Sequence, residues 1–312
     1  AVGLVKGQRG EASEGEGDSA VEELWRLQKV PPIVALLPTG DVTTPDAMGV
    51  DFPVVLRYEG EWLLFYTALD GQQPSIAVAA SADLQRWERR GVVLRRGEEG
   101  QFDAGGVMAA WILRHNDWDE PLPKLRRGVF WLAYNGAATP DASAAAIGLA
   151  FSPDLTHWRR FDANPILSAR DGELWEKGRV GSPCLLEREN LFWLFYVGQN
   201  DVPSVGLALS TDFLVWSRDL ENPLLRSETG LLGRPFLVRQ QRRWWMLFGD
   251  EQGLRLATSE DLRHWRLLDE PPLTFDGLHR PASPYLFWHD GKLWLFFAAE
   301  RDGQQGIFCV AG

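Results

Sequence analysis

Cysteine is nearly absent from this chain: Cys184 and Cys309 are the only two in 312 residues. They make no disulfide framework and stand at no metal-ligand spacing, so they read as buried strand thiols. No stretch approaches the ~20 consecutive apolar residues of a membrane-spanning helix, and no membrane partner is expected. Basic residues are also in short supply. With 32 Lys and Arg against 43 Asp and Glu, the net charge is −11, which argues against nucleic acid, whose phosphates call for a basic surface. The opening AVGLVKGQRGEASEGEGDSA lacks the apolar core of a secretory signal. Residues 1–23 read as a disordered N-terminal tail, and a cytoplasmic location is the expectation.

Tryptophan, by contrast, is abundant at 15 residues against three methionines, in a chain that is 45% hydrophobic. That balance points to β-rich, aromatic-packed architecture with ample material for a core. One phrase recurs: SADLQRW from Ser81, SPDLTHW from Ser152, STDFLVW from Ser210 and SEDLRHW from Ser259. Before each lies a β-like run (SIAVAAS, AIGLAFS, SVGLALS, GLRLATS) and, earlier, an aromatic run such as EWLLFYTA or LFWLFYVG. Earlier still comes a short strand, usually opened by proline. Pro53 to Tyr66, Pro183 to Tyr196, Pro235 to Phe248 and Pro284 to Phe297 are each thirteen residues apart. The second unit has Ala110 in the proline slot and an eleven-residue insertion around HNDWDEPLPKLRR before Tyr134.

Such a repeat predicts an all-β fold, a five-bladed β-propeller of four-stranded blades forming one domain over residues 24–312. The last unit lacks its fourth strand. Trp158, Trp216 and Trp265 are each followed seven residues later by Pro165, Pro223 and Pro272, and Trp25 is followed at the same distance by Pro32 and Ile33-Val34. Residues 24–37 are therefore expected to supply the outer strand of blade 5 and close the ring.

The Ser and Asp of the heptapeptide suit a turn fastener, since both side chains bond nearby backbone groups. Chemistry is sought instead at the loops that enter each innermost strand. An acid recurs seven places before the proline slot: Asp46, Asp103, Glu176 and Glu228, with Asp276 one place off register in the fifth unit. Carboxylates crowding one mouth would raise one another's pKa, the usual route to a general acid and base at neutral pH. Their recurrence equally suits a repeated loop cap. Asp51 differs, because no other unit has an acid two places before the proline slot. Arg179, Arg234, His279, Arg280, Asn135 and Asp250 are further unrepeated or rim residues suited to a polyhydroxylated ligand. No second histidine stands at ligand spacing to His279, so no metal site is assigned.

The stretches DFPVVLRYEGEWLLFYTA, GSPCLLERENLFWLFYVG and IGLAFSPDLTHW resemble the five-bladed propeller glycosidases of the arabinanase/xylosidase and invertase/levansucrase families. The resemblance implies a first-blade Asp as base or nucleophile, a second-blade Asp that tunes it and a third-blade Glu as general acid. Asp51 approximates the first role, Asp103 is a displaced candidate for the second, and Gly181 occupies the position of the third. Glu176 is the nearest substitute. Two readings stay open at this point: a glycosidase-like propeller acting on a carbohydrate at the channel mouth, or a noncatalytic carbohydrate-binding or protein-interaction propeller. Neither implies a cofactor, and a channel calcium is left open.

Overall fold

The structure, a computed structural model, describes residues 14–140, 145–227 and 229–312, with the backbone alone at 14–18 and 232. The first thirteen residues of the expected tail, and Glu228, lie outside the described residues. The chain opens with helix α1 (Glu14–Arg26) and a 3-10 turn (Leu27–Lys29), followed by β1 (Ile33–Leu36). A first antiparallel group follows: β2 (Gly49–Tyr58), β3 (Glu61–Leu69), β4 (Ser75–Ser81) and β5 (Glu88–Leu94). The second comprises β6 (Gly106–Ile112), β7 (Phe130–Ala137) and β8 (Ala145–Ser152), with short β9 (Arg159–Arg160) and β10 (Leu167–Ser168) both on β8. In the third, β11 (Arg179–Arg188), β12 (Leu191–Gln199) and β13 (Ser204–Ser210) carry β14 (Ser217–Arg218) and β15 (Leu225–Arg226). Then come β16 (Leu232–Gln240), β17 (Arg243–Gly249), β18 (Leu254–Ser259) and β19 (Arg266–Leu267). Last are β20 (His279–His289), β21 (Lys292–Arg301) and β22 (Gln304–Ala311).

The second strand of each group is the aromatic run. β3, β7, β12, β17 and β21 are buried along almost their whole length. Strands covered on both faces have no use for alternating polarity, so they read as continuous hydrophobic stretches. The N-terminal strand pairs out of sequence: β1 lies antiparallel to β22, with Ile33 opposite Cys309 and Val34 opposite Phe308. A parallel bridge between Gly49 and Gln305 joins β2 to the same strand.

The tail expectation needs correcting here. Residues 14–23 are helical, and Ala20, Val21 and Leu24 of α1 are buried in the main core. Their spacing, continued at Leu27, is that of an amphipathic helix, a signal hidden by the glycine- and glutamate-rich residues before it. Residues 24–37 are accordingly a strand only over Ile33–Leu36.

The heptapeptide forms the same turn four times. At the second copy, Asp154 Oδ1 accepts from the Thr156 and His157 N–H groups at 3.0 and 2.9 Å and from Ser152 Oγ at 3.1 Å. The turn places Leu84, Leu155, Phe213 and Leu262 at positive φ, between 66 and 69°, a conformation non-glycine residues adopt only when held. The tryptophan that follows packs onto a neighbouring group: Trp158 meets Phe65 edge-on and Trp265 meets Phe195.

The insertion of the second unit spans the far ends of the first strands. Pro121 O accepts from Arg57 N, Asn116 Nδ2 donates to Glu187 O, Arg239 N donates to Asn116 O, and Trp288 N donates to Trp118 O. Trp118 stacks on Trp288 at 5.4 Å and meets Trp245 edge-on. One loop thus ties β2, β11, β16 and β20 together. Asp51 and Arg57 are six residues apart on β2, about 20 Å of extended strand, so the insertion and Asp51 sit at opposite ends.

Candidate active site

Three of the recurring acids, Asp46, Asp103 and Glu176, are buried and bonded in one pattern. Tyr66 Oη and Arg89 Nε donate to Asp46 Oδ2 at 3.0 and 2.7 Å. Tyr134 Oη and Arg160 Nε donate to Asp103 Oδ2, both at 2.8 Å. Tyr196 Oη donates to Glu176 Oε2 at 2.9 Å, and Arg218 Nε donates to its other oxygen. Each arginine also donates to a carbonyl before the entry loop: Leu37, Arg95 and Ser168. Burial, helped by the adjacent carboxylate, pushes the three tyrosine hydroxyls well above their ordinary pKa, so the phenols stay protonated as donors. These triads fasten each entry loop to the second and fourth strands of its own group. Asp103 and Glu176 are fully enclosed and do not line the cavity that Asp51 lines.

Asp51 lies at the opposite extreme of use. Oδ1 accepts from the Phe52 N–H at 2.7 Å and from Ser283 Oγ at 2.9 Å, and Oδ2 accepts from Gln305 Nε2 at 2.7 Å. Burial raises its pKa, opposed by those three bonds and by the charge of Arg234. A register shift between Asp51 and Val54 marks a bulge, with Phe52 at φ 51°. Ala109, Ser182 and Ser283 hold the equivalent positive φ before the proline slot of their own strands. Bulges at strand ends re-aim side chains, and non-glycine residues in this region store about 1–3 kcal/mol each.

Asp51 lines a cavity of about 370 Å³ together with Arg179, Arg280, Glu300 and Gln305. A smaller one of about 160 Å³ adjoins it, sharing Arg179, Leu231 and Gly233, and is lined by Asn135, Gly181 and Ser182. Asn135 is buried, and its Oδ1 has no hydrogen-bond partner among the described residues. Two glycines open this region. A Cβ on Gly233 would lie 2.2 Å from Ser283 Oγ, the donor to Asp51, and one on Gly181 would collide with Asn135.

Of the other sequence candidates, His279 is exposed at the start of β20, where it pairs across the ladder with Glu300. Arg234 is not a rim group. It is fully buried, donates to Ala110 O and Pro53 O, and lies 5.2 Å over the Trp111 ring. Burial pushes its pKa down to about 10. Asp250 is buried in a separate turn, where it accepts from Thr229 Oγ1 at 3.0 Å, from the Gln252 and Gly253 N–H groups and from Arg255. Burial alone would raise its pKa, but these donors bring it below the ordinary value. Glu300, Gln305 and Ser283 were missed in the sequence because they come from the last unit, distant along the polypeptide from Asp51.

A larger depression of about 590 Å³ lies at the fourth heptapeptide turn, away from Asp51, among Arg243, Asp261, His264 and Arg266. Its Asp261 and His264 are bonded to each other. Asp117, Asp119 and Glu120 place ligand atoms within 4.8 Å of one another in the insertion, but Asp117 already pairs with Arg239. Among the described residues no helix is long and apolar enough to cross a membrane.

Strand groups with a shared repeat give the chain a β-propeller-like fold, and its structural neighbours are propeller glycoside hydrolases, as the resemblance implied. No family model matches the chain. A 1,2-beta-oligomannan phosphorylase of Thermoanaerobacter sp. (strain X514) is 27% identical over 201 residues, 60% of this chain, and the match spans 57% of that relative's length. Among solved structures, a BT0996 RGII complex superposes with a TM-score of 0.81 at 21% identity, covering 94% of this chain and 95% of that one. A glycoside hydrolase superposes equally well, at 0.81 with 20% identity and 96% of each chain covered.

Proposed function

We propose that the chain is a five-bladed propeller, one domain closed by β1, which acts on a carbohydrate in glycosidase fashion at the cavity lined by Asp51. Pairing of β1 with β22 supports the closure. The observation that carries the functional reading is Asp51 itself: an unrepeated, partly buried carboxylate on a cavity, in a fold shared with glycoside hydrolases. The backbone N–H of Phe52 can only donate, and Gln305 Nε2 donates as well, so Asp51 is held as an acceptor. That suits a base or nucleophile. The partner carboxylate of glycoside chemistry then falls to Glu300 on the same cavity, and Asp103 and Glu176 are assigned to loop fastening instead.

The test is a glycan panel assayed with wild type, Asp51→Asn and Glu300→Gln. Turnover should fall at least ~10²-fold in each variant with folding preserved, and an Asp51→Asn protein retaining most of the activity overturns the assignment. Running the panel with and without inorganic phosphate separates hydrolysis from phosphorolysis, the activity in the name of the 27% identical relative. A noncatalytic carbohydrate-binding module is the second reading. It is favoured by Asn135, whose amide fills the space in front of Gly181 where the related families keep their acid.

A further inference from the structure

Arg179 and Arg280 are the two arginines that line the Asp51 cavity. Arg89, Arg160, Arg218 and Arg255 each hold a carboxylate, and Arg234 holds two carbonyls. Arg179 and Arg280 are exposed, both line the Asp51 cavity, and neither guanidinium has a hydrogen bond or ion pair among the described residues. They are not counterions of Asp51. Its carboxyl is served by Phe52, Ser283 and Gln305, and the charge that acts on it is that of Arg234. Glu300 shares the cavity without coming into ion-pair range of either arginine. In a chain of net charge −11, two bare guanidinium groups on one cavity call for an anion from outside. Their planar forks match an oxyanion with two parallel bonds, a geometry that neutral hydroxyls do not require.

We propose that the saccharide bound at Asp51 is acidic, its carboxylate held by Arg179 and Arg280. This rests on the carbohydrate reading above and narrows it to a class. Arg179 borders both cavities, so a carboxylate there leaves the sugar hydroxyls to the smaller one. Asn135, whose buried Oδ1 has no partner among the described residues, lines that smaller cavity. Free inorganic phosphate offers the same oxyanion chemistry from another source, and the test separates the two.

Binding by calorimetry and release of reducing ends are measured on acidic oligosaccharides (from polygalacturonate, glucuronoxylan and alginate) and neutral ones (from arabinan, xylan, mannan and fructan). Each is run with and without phosphate, for wild type, Arg179→Gln, Arg280→Gln and the outlying control Arg90→Gln. The expected result is preference for an acidic member that does not need phosphate. Affinity should fall about tenfold or more in each cavity variant, fall with salt, and stay unchanged in the control. Preference for a neutral glycan, or acidic binding untouched by both cavity variants, overturns the inference and leaves the carbohydrate reading standing. Neutral turnover that requires phosphate assigns the arginines to phosphate and also overturns it. Binding to no glycan removes the carbohydrate reading as well.

Discussion

Asn135 stands where a side chain on residue 181 would have to go: a Cβ built on Gly181 would lie 2.1 Å from Asn135 Oδ1. The two positions exclude each other. Gly181 of β11 opposes Val197 of β12, whereas Asn135 belongs to β7 of the preceding group, so an amide from the neighbouring group fills the space beside residue 181.

Gly181→Ala should therefore destabilise by about 1–3 kcal/mol, the usual cost of overpacking. Introduced together with Asn135→Ala, which removes the obstructing amide, it should cost markedly less. Urea unfolding of the two single variants and the double variant measures the coupling; strictly additive effects would show that the two side-chain positions do not compete.

The acid–tyrosine–arginine triads give a second prediction. Arg160→Leu strands the enclosed Asp103 carboxylate and should cost about 3–5 kcal/mol. The triple variant Asp103→Leu, Tyr134→Phe, Arg160→Leu removes charge and partners together and should recover most of that loss. Thermal unfolding of both variants checks it, and failure of the triple variant to recover would mean that the triad's polar geometry itself is required.

Asp51 should be held at a cost to stability. A carboxyl whose folded pKa is raised destabilises the folded state progressively as pH rises above its unfolded value of about 3.9. Asp51→Asn should accordingly melt no lower than wild type at pH 7, with any advantage vanishing as pH falls below that value. A clearly lower melting temperature at pH 7 would contradict the burial argument.

The heptapeptide aspartates carry the opposite sign. Bonds from the His157 N–H, the His157 ring and the Thr156 N–H hold the Asp154 carboxyl well below the usual range. Its contribution is present above the unfolded pKa and lost as pH falls through the folded one. Asp154→Asn should lose about 1 kcal/mol at pH 7, the scale of a lost cap bond, and converge on wild type in strong acid. Ligand affinity should not change.

Trp118→Ala should loosen the insertion from β16 and β20 and lower stability by up to about 3 kcal/mol, since the side chain is only partly buried. Binding at the Asp51 end should persist. Calorimetric unfolding together with a ligand titration tests both halves.

The triads, too, leave a signature in the sequence: Tyr66, Tyr134 and Tyr196 occupy one slot, and Arg89, Arg160 and Arg218 another, two places after the heptapeptide tryptophan. In the fourth unit these slots hold Phe248 and Leu267, and in the fifth Phe297 and, two places after Trp25, Leu27. Tyrosine and arginine appear or vanish together because both donate to the same buried carboxylate. By itself the sequence determined the strand pattern, the fastening turns and the partner of the N-terminal strand, since repeated local spacing encodes repeated local geometry. Only the tertiary structure showed which acids are bonded into their own loops and which one lines a cavity. Asp51 meets Ser283 and Gln305 across more than two hundred residues of polypeptide, Asn135 from a neighbouring group fills the space beside Gly181, and Asp103 and Glu176 are withdrawn behind tyrosines. Those outcomes depend on how separate groups pack side by side, and no spacing within one unit records them.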